Sequence, residues 1–126
     1  MSGVVYDAGA LVAAERNDRH LWAEHRVRLE AGVVPIVPAP VVAQVSRSPR
    51  QVQLRRLLQG CEVLVLDEPT AYAVGQLLGR SGTADIVDAT VVTVAIAEQA
   101  EIVTGDRDDI SRLANAAGAR LVITRT

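Results

Sequence analysis

The stretch that decides the fold of this chain is TADIVDATVVTVAIAEQAEIVTGDRDD, residues 83–109. Its first half, from Ile86 to Ala97, is apolar on almost every face, which is typical of a helix buried inside a protein. Its second half contains a short β-like run, Glu101–Thr104, that leads into Asp106 after one glycine. Asp88 lies within the apolar helix, where an ionised carboxylate requires a cation or hydrogen-bond donors. The neighbouring sequence offers few cations, so a metal ion would supply the compensating charge.

Strand-like and helix-like segments alternate outward from this stretch along all 126 residues. The alternation predicts an α/β fold of three layers, in which a central parallel sheet of about five strands is flanked by helices. The predicted strands are Gly3–Tyr6, Val33–Val37, Cys61–Leu66, Glu101–Thr104 and Arg120–Thr124. The predicted helices are Ala8–Arg16, Arg19–Ala31, Val41–Arg47, Ser48–Leu58, Glu68–Leu78, Ile86–Ala97 and one that follows a cap at Asp108 or Asp109 and ends at Ala117. The length fits a single domain over residues 1–126.

Composition narrows the classes of protein to which the chain can belong. Hydrophobic residues make up 49% of it and the mean hydropathy is +0.20, which excludes wholesale disorder. The single cysteine, Cys61, excludes an internal disulfide, fits a reducing cytoplasm and is predicted to lie in the core. The N-terminus does not resemble a secretion signal, and prolines interrupt the apolar stretch 33–45, so we expect a cytoplasmic protein with no membrane span.

The arginines are distributed unevenly along a chain whose net charge is −2. All thirteen basic residues are arginine, and four of them lie in one short region, namely Arg47, Arg50, Arg55 and Arg56. Guanidinium groups suit bidentate contacts to phosphate. Two interpretations of this arginine cluster stay open: a surface that binds phosphate, or a solvated helix face in a chain that is biased against lysine.

Several acidic residues stand where the predicted elements meet one edge of the sheet. Asp7 follows the first predicted strand directly, and Asp106 follows the fourth after one glycine. Asp88 is expected about a turn and a half inside a helix that Thr83 caps and whose N-terminal end can face the same edge. Because sites in open parallel sheets form beyond the carboxyl ends of the strands, the three carboxylates can converge. Oxygen ligands suit Mg²⁺ or Mn²⁺, and such ions activate water and stabilise in-line attack on phosphodiesters.

Structural roles compete with these functional ones. Asp7 serves equally well as the cap of the following helix, and Asp85 is better explained as a first-turn residue favoured by the helix dipole than as a direct ligand. A threonine in a strand, such as Thr104, needs no function. His20 and His25 are five residues apart, which is the wrong spacing for a metal pair on a helix, and both are predicted to lie on the surface.

Three motifs, taken in their order and spacing, resemble the PIN domain over nearly the whole chain. They are VVYDAGAL at residues 4–11, DIVDATVVTVA at residues 85–95 and IVTGDRDDISRL at residues 102–113. Within that family the chain is most similar to the ribonuclease toxins of VapBC-type toxin–antitoxin pairs. The resemblance implies a metal-dependent endoribonuclease that hydrolyses RNA phosphodiester bonds with Mg²⁺ or Mn²⁺. It also implies a homodimer and a cognate antitoxin protein that covers the site.

The resemblance also assigns roles to individual residues. It gives catalytic and metal-binding roles to Asp7, Asp88 and Asp106. It gives possible accessory positions to Gln44, Asp85, Thr104 and Asp108. In addition to these roles, we hypothesise that the arginine cluster orients the RNA backbone.

The chain departs from the family's pattern at Gln44, where the second acid of the family is normally glutamate. An amide offers a carbonyl oxygen to a metal but cannot neutralise its charge. The departure implies weaker metal binding, particularly of a second ion, unless Asp85 or Asp108 compensates. A catalytically weak or inactive PIN-like module that binds RNA or protein is therefore the alternative function.

Overall fold

Five short parallel strands form the centre of the protein in this computed structural model, which describes residues 3–125. The strands are β1 (Val4–Tyr6), β2 (Ile36–Pro38), β3 (Glu62–Leu64), β4 (Glu101–Thr104) and β5 (Ile123–Arg125). They are arranged in the order β3-β2-β1-β4-β5, and every neighbouring pair is parallel. The central strand β1 is completely buried, as expected for a sheet that is covered on both faces.

Seven helices connect these strands within the described residues. They are α1 (Ala8–Glu15), α2 (Arg19–Glu30), α3 (Ala39–Val45), α4 (Val52–Gln59), α5 (Glu68–Ser81), α6 (Ile86–Glu98) and α7 (Arg107–Ala116). The parallel sheet flanked by helices confirms the predicted three-layer α/β fold. No helix of the described part of the chain has both the length and the apolar character needed to cross a membrane.

Helix α6, which the sequence predicts to be buried, lies at the centre of the packing. Residues 89–92, 94 and 95 are buried, and the helix contacts α5, α7, α3 and the strands β1, β2 and β4. Its two threonines donate their hydroxyl groups to carbonyls one turn earlier, Thr90 to Ile86 and Thr93 to Ala89, both at 2.7 Å. These bonds satisfy the polar groups of a helix that has little access to water. Only its ends are exposed, at Ile86 and from Ile96 onward.

Strand lengths are the main point where the sequence prediction of the elements is wrong. The third strand was expected at residues 61–66 but ends at Leu64. The reason is that β3 is an edge strand that pairs only with β2, and β2 stops at Pro38, opposite Leu64. Beyond that point Val65 and Leu66 have no strand to pair with, because the chain of β2 turns into α3 at Ala39.

Helix α4 also begins later than expected, at Val52 and not at Ser48. The side chain of Gln51 organises the intervening loop: its oxygen accepts from the backbone N–H groups of Arg47 (2.8 Å) and Ser48 (3.1 Å), and its nitrogen donates to the carbonyl of Val45 (3.0 Å). These bonds replace the helical ones that the sequence pattern suggested.

His25 is buried, whereas the sequence analysis placed it on the surface together with His20, which is exposed. Its Nδ1 lies 2.8 Å from the hydroxyl of Tyr6. The Arg28 guanidinium donates to the same hydroxyl at 3.2 Å and pairs with Glu24 at 3.1 Å. This network ties α2 to the central strand. Burial, together with the positive charge of Arg28, lowers the pKa of His25.

Cys61 is partly buried and packs against the core, near its predicted place. Its Sγ donates to the carbonyl of Leu57 at 3.2 Å, and burial raises the pKa of the thiol to about 12.

Candidate functional site

Three of the acidic residues singled out in the sequence begin helices. Asp7, Asp85 and Asp106 are the N-caps of α1, α6 and α7. Each carboxylate accepts a bond from a backbone N–H two or three residues later, at distances of 2.6, 3.0 and 3.3 Å respectively. The helix dipole also stabilises a negative charge at this position. Capping thus explains how the chain holds these carboxylates, and it leaves further oxygen lone pairs for a ligand.

The predicted N-caps of α6 and α7 are both wrong. Thr83 was expected to cap α6, but Asp85 does so, and Asp88 is the third residue of the helix and not a turn and a half inside it. Asp108 or Asp109 was expected to cap α7, but Asp106 does so. Both helices therefore begin with the same pattern, an aspartate cap followed three residues later by a second aspartate.

Asp7 and Asp106 are linked through Thr104. The Thr104 hydroxyl donates to Oδ2 of Asp7 and accepts from the backbone N–H of Asp106 at 2.9 Å. Strands β1 and β4 are neighbours, with Tyr6 opposite Val103, so the residues that follow them meet at one edge of the sheet. Asp7 is 4% exposed and burial raises its pKa, while the bonds from Thr104 and Gly9 oppose that rise.

A close backbone approach holds this junction together. A Cβ atom at Gly9 would lie 2.4 Å from the backbone nitrogen of Gly105 and 2.7 Å from its Cα. Such distances are far inside van der Waals contact. Only glycine at position 9 therefore lets the first turn of α1 rest against the loop between β4 and α7, which keeps Asp7 beside Asp106.

The acids converge most closely at Asp88, Asp106 and Asp109, which each offer a carboxylate oxygen within 4.8 Å of the others. Asp88 is partly buried and the other two are exposed. Burial, and then the negative charges of Asp85, Asp7, Asp106 and Asp109, raise the pKa of Asp88 to about 7. The pKa of Asp109 is also raised, by its hydrogen bond with Asp106 and by the charge of that residue.

These features fit a divalent cation. The available donors are carboxylate oxygens, which Mg²⁺ and Mn²⁺ prefer, and not the nitrogen and sulfur ligands typical of zinc. Burial raises the pKa of Asp88 most, and the four neighbouring carboxylates raise it further, so a cation beside Asp88 would favour its ionised form. Among the ion pairs of the described residues, Arg112 takes part in one, with Asp109, at 3.7 Å between Nη1 and Oδ1.

The structure brings most, but not all, of the predicted site residues together. Asp7, Asp88 and Asp106 act on one another through their charges, and Asp85 adds to the field at Asp88. Asp108 is exposed and is not among the acids of the described cluster, where Asp109 lies instead. The signal that would have identified Asp109 is its spacing of three from Asp106, which equals the spacing from Asp85 to Asp88 at the start of α6.

Gln44 lies near the end of α3, is exposed, and has no side-chain hydrogen bond among the bonds of the described residues. Helix α3 packs against α1 and α6, the two helices capped by Asp7 and Asp85. The close group of carboxylates thus forms without any contribution from position 44.

The four residues of the arginine cluster are all exposed, but two of them are engaged locally. Arg47 donates to the carbonyls of Ala43 and Ser46 at 3.0 and 2.9 Å. The Arg56 guanidinium lies 5.3 Å from the centroid of the Trp22 ring, a cation–π contact with α2. The side chains of Arg50 and Arg55 make no hydrogen bond, ion pair or cation–π contact with the described residues.

The chain is similar to known proteins both in its sequence and in its fold. The sequence matches the PIN domain family over residues 4–116. Among solved structures, the fold is similar to VapBC2 from Rickettsia felis bound to a promoter DNA fragment (18% identity, 98% of each chain covered, TM-score 0.74). It is also similar to DNA-bound VapBC from Salmonella typhimurium (15% identity, 99% of this chain and 98% of that chain covered, TM-score 0.72). A third similar structure is PAE2754 from Pyrobaculum aerophilum (19% identity, 98% of this chain and 83% of that chain covered, TM-score 0.64). A search of curated proteins finds no significant match.

Proposed function

This chain belongs to the PIN domain family, whose members are generally nucleases, and on that premise we propose that it is a metal-dependent endoribonuclease. The observation that carries the proposal is the convergence of the Asp88, Asp106 and Asp109 oxygens within 4.8 Å of one another, beside the buried Asp7. Carboxylates this close repel one another, and a divalent cation would offset that repulsion.

The proposed metal ligands are Asp7, Asp88 and Asp106, and the ion is Mg²⁺ or Mn²⁺. A divalent ion held there lowers the pKa of bound water and offsets the charge on phosphate oxygens. Thr104 keeps the carboxylate of Asp7 in one orientation, because its hydroxyl is itself fixed by the N–H of Asp106. The first turns of α6 and α7 hold the remaining acids on rigid helix ends. Such preorganisation places the ligands before substrate arrives.

The RNA substrate is expected to cross this acidic edge, with its backbone oriented by exposed arginines. Of the arginine cluster, Arg50 and Arg55 fit this role best, because Arg47 and Arg56 already contact neighbouring groups. An accessory role is better supported for Asp85 than for Asp108. The negative charge of Asp85 contributes to the raised pKa of Asp88, whereas Asp108 lies outside the group formed by Asp88, Asp106 and Asp109.

We also propose that the protein is the toxin of a toxin–antitoxin pair. The support is the similarity of its fold to VapBC complexes and to a toxin–antitoxin complex from Klebsiella pneumoniae (15% identity, 86% of this chain and 90% of that one, TM-score 0.66). A cognate antitoxin protein and a homodimer follow from that assignment, as does a cytoplasmic location. The alternative, a weak or inactive module that binds RNA or protein, is favoured by one observation, the amide at Gln44.

Incubation of the purified protein with total RNA, with and without Mn²⁺, tests the proposal when followed by mapping of the fragment ends. Endonuclease activity predicts discrete new ends that appear only with Mn²⁺ and disappear in Asp106→Asn. Calorimetric titration with Mn²⁺ separates the alternative, because a binding module need not take up the ion. RNA that stays intact in the presence of bound Mn²⁺ would refute the nuclease assignment.

A further inference from the structure

Arg112 stands at the edge of the acidic site in a place that the sequence analysis did not single out. It lies on α7, one turn after Asp109, and its side chain is 64% exposed. A cavity of about 130 Å³ opens beside it. Among the described residues that line this cavity, Asp85, Asp88 and Asp109 are carboxylates and Arg112 is the one cation.

The pairing of Arg112 with Asp109 is loose. The distance of 3.7 Å between Nη1 and Oδ1 exceeds the roughly 2.7–2.9 Å of a charge-assisted hydrogen bond. An exposed ion pair of this kind contributes little to stability and is screened by salt. The five N–H donors of the guanidinium are therefore available to another anion.

The charges around the cavity indicate which anion that is. A phosphodiester that approaches three aspartates is repelled unless cations are present on both sides of it. A divalent ion on the carboxylates would supply positive charge on one side. A guanidinium beside the same cavity would supply it on the other, in a planar fork that matches two phosphate oxygens. The volume is well above the roughly 10–15 Å³ that one water molecule requires, so it admits a phosphate group together with water.

We propose that Arg112 binds a backbone phosphate of the RNA at the acidic site, in an inference that rests on the ribonuclease function proposed above. Arg112 is then a substrate-binding residue, whereas the arginine cluster, which lies in the loop after α3 and on α4, would meet the RNA elsewhere. The competing role is that of a simple counter-ion, which would only neutralise Asp109 when no metal is bound.

The two roles differ in how Arg112→Gln affects RNA binding at saturating Mn²⁺. The probe is a fluorescently labelled, single-stranded RNA with phosphorothioate linkages that slow hydrolysis, and binding is followed by anisotropy over a range of salt. Phosphate binding predicts an affinity loss of about tenfold and a salt slope that is smaller by about 0.7, because one fewer counterion is released. Arg112→Lys should recover part of the affinity, since lysine keeps the charge but not the fork.

Arg107→Gln is the matched control. Arg107 is exposed on the same helix and carries the same charge, but it lines a different cavity, together with Asn115 and Arg120. Its replacement should leave both the affinity and the salt slope near the wild-type values. Melting temperatures of all variants verify that they are folded.

Two results would overturn the inference, and they are distinguishable. If wild type binds and cleaves RNA but Arg112→Gln behaves like Arg107→Gln and binds Mn²⁺ more tightly, Arg112 is a counter-ion and the ribonuclease function stands. If wild type neither binds nor cleaves RNA, the proposed function fails and this inference fails with it.

Discussion

The hydroxyl of Thr104 donates to the carboxylate of Asp7 across the boundary between the two central strands. Both residues are almost completely buried, and they are 97 positions apart in the sequence. The same hydroxyl accepts the N–H of Asp106, so one buried threonine sets the position of two candidate metal ligands.

Thr104→Val should destabilise the protein, because it leaves the Asp7 carboxylate and the Asp106 N–H without their shared partner. Loss of such bonds at a buried site lowers the free energy of unfolding by about 1–3 kcal/mol. Thr104→Ser keeps the hydroxyl and should retain most of that stability. Urea denaturation of the three proteins measures the difference. Equal stabilities for the valine and serine variants would mean that the hydroxyl bonds have no energetic weight.

Asp7→Asn and Asp106→Asn should each abolish RNA cleavage while the protein stays folded. Asparagine caps helices as well as aspartate does, so the helix starts are preserved while a ligand charge is lost. In the metal-free protein, Asp106→Asn should be as stable as wild type or more stable, because a like charge is removed. Asp7→Asn also loses an acceptor, of either the Thr104 hydroxyl or the Gly9 N–H, and this loss offsets the gain from removing a charge. Cleavage assays and thermal melts measure both effects. Asp67→Asn, at the cap of α5, is the control with unchanged cleavage, and wild-type cleavage rates in both site variants would disprove the site.

Gly9→Ala should be strongly destabilising, by about 1–3 kcal/mol or more, because the new methyl group overlaps the backbone of Gly105. Gly75→Ala makes a matched control within α5, where an added Cβ meets nothing within 4 Å. That control should gain about 0.5–1 kcal/mol from helix propensity. The midpoints of denaturant unfolding for wild type, Gly9→Ala and Gly75→Ala measure these differences in stability. A neutral Gly9→Ala would show that the approach of α1 to Gly105 is not required.

The buried His25 should make part of the stability depend on pH. Its pKa is lowered in the folded protein, so the unfolded chain takes up the proton first as pH falls through about 6.5. The contribution of a neutral His25 is therefore present above about pH 6.5 and is lost progressively below it. His25→Gln keeps an acceptor for the Tyr6 hydroxyl but does not titrate. As the pH falls from about 7 to about 5, wild type should therefore lose more stability than His25→Gln. A stability difference between the two proteins that does not change with pH would contradict the assignment.

Gln44→Glu tests whether position 44 faces the proposed ion. If it does, the new charge tightens Mn²⁺ binding, and in metal-free protein the same charge is repelled by the acids and lowers stability. Melting temperatures with and without Mn²⁺ should then show a less stable apo protein and a larger Mn²⁺-dependent increase than in wild type. Equal increases in the two proteins would mean that residue 44 does not face the ion.

Local sequence determined the type and order of the elements in this protein. The run Glu101–Thr104 is a strand with the bounds expected, because Gly105 follows it, β1 pairs with residues 101–103 and β5 pairs with residues 102–104. The apolar stretch after Asp85 forms a buried helix, because it has too few polar faces to lie against water. The placement of Asp7 and Asp106 at one edge of the sheet was predictable, since strand ends in a parallel sheet share one edge. That their strands are neighbours is known only from the structure.

Tertiary structure alone decided the features that depend on residues far apart in the chain. The length of β3 is set by where its partner β2 turns into a helix, which no property of residues 61–66 reveals. His25 is buried because Tyr6 and Arg28 surround it, although its own neighbours in the sequence are polar. The place of Asp109 in the acidic group followed from which aspartate capped α7. The candidates for that position are Asp106, Asp108 and Asp109. Asp106 takes it because Gly105 lies against Gly9 and because the Asp106 N–H donates to the Thr104 hydroxyl.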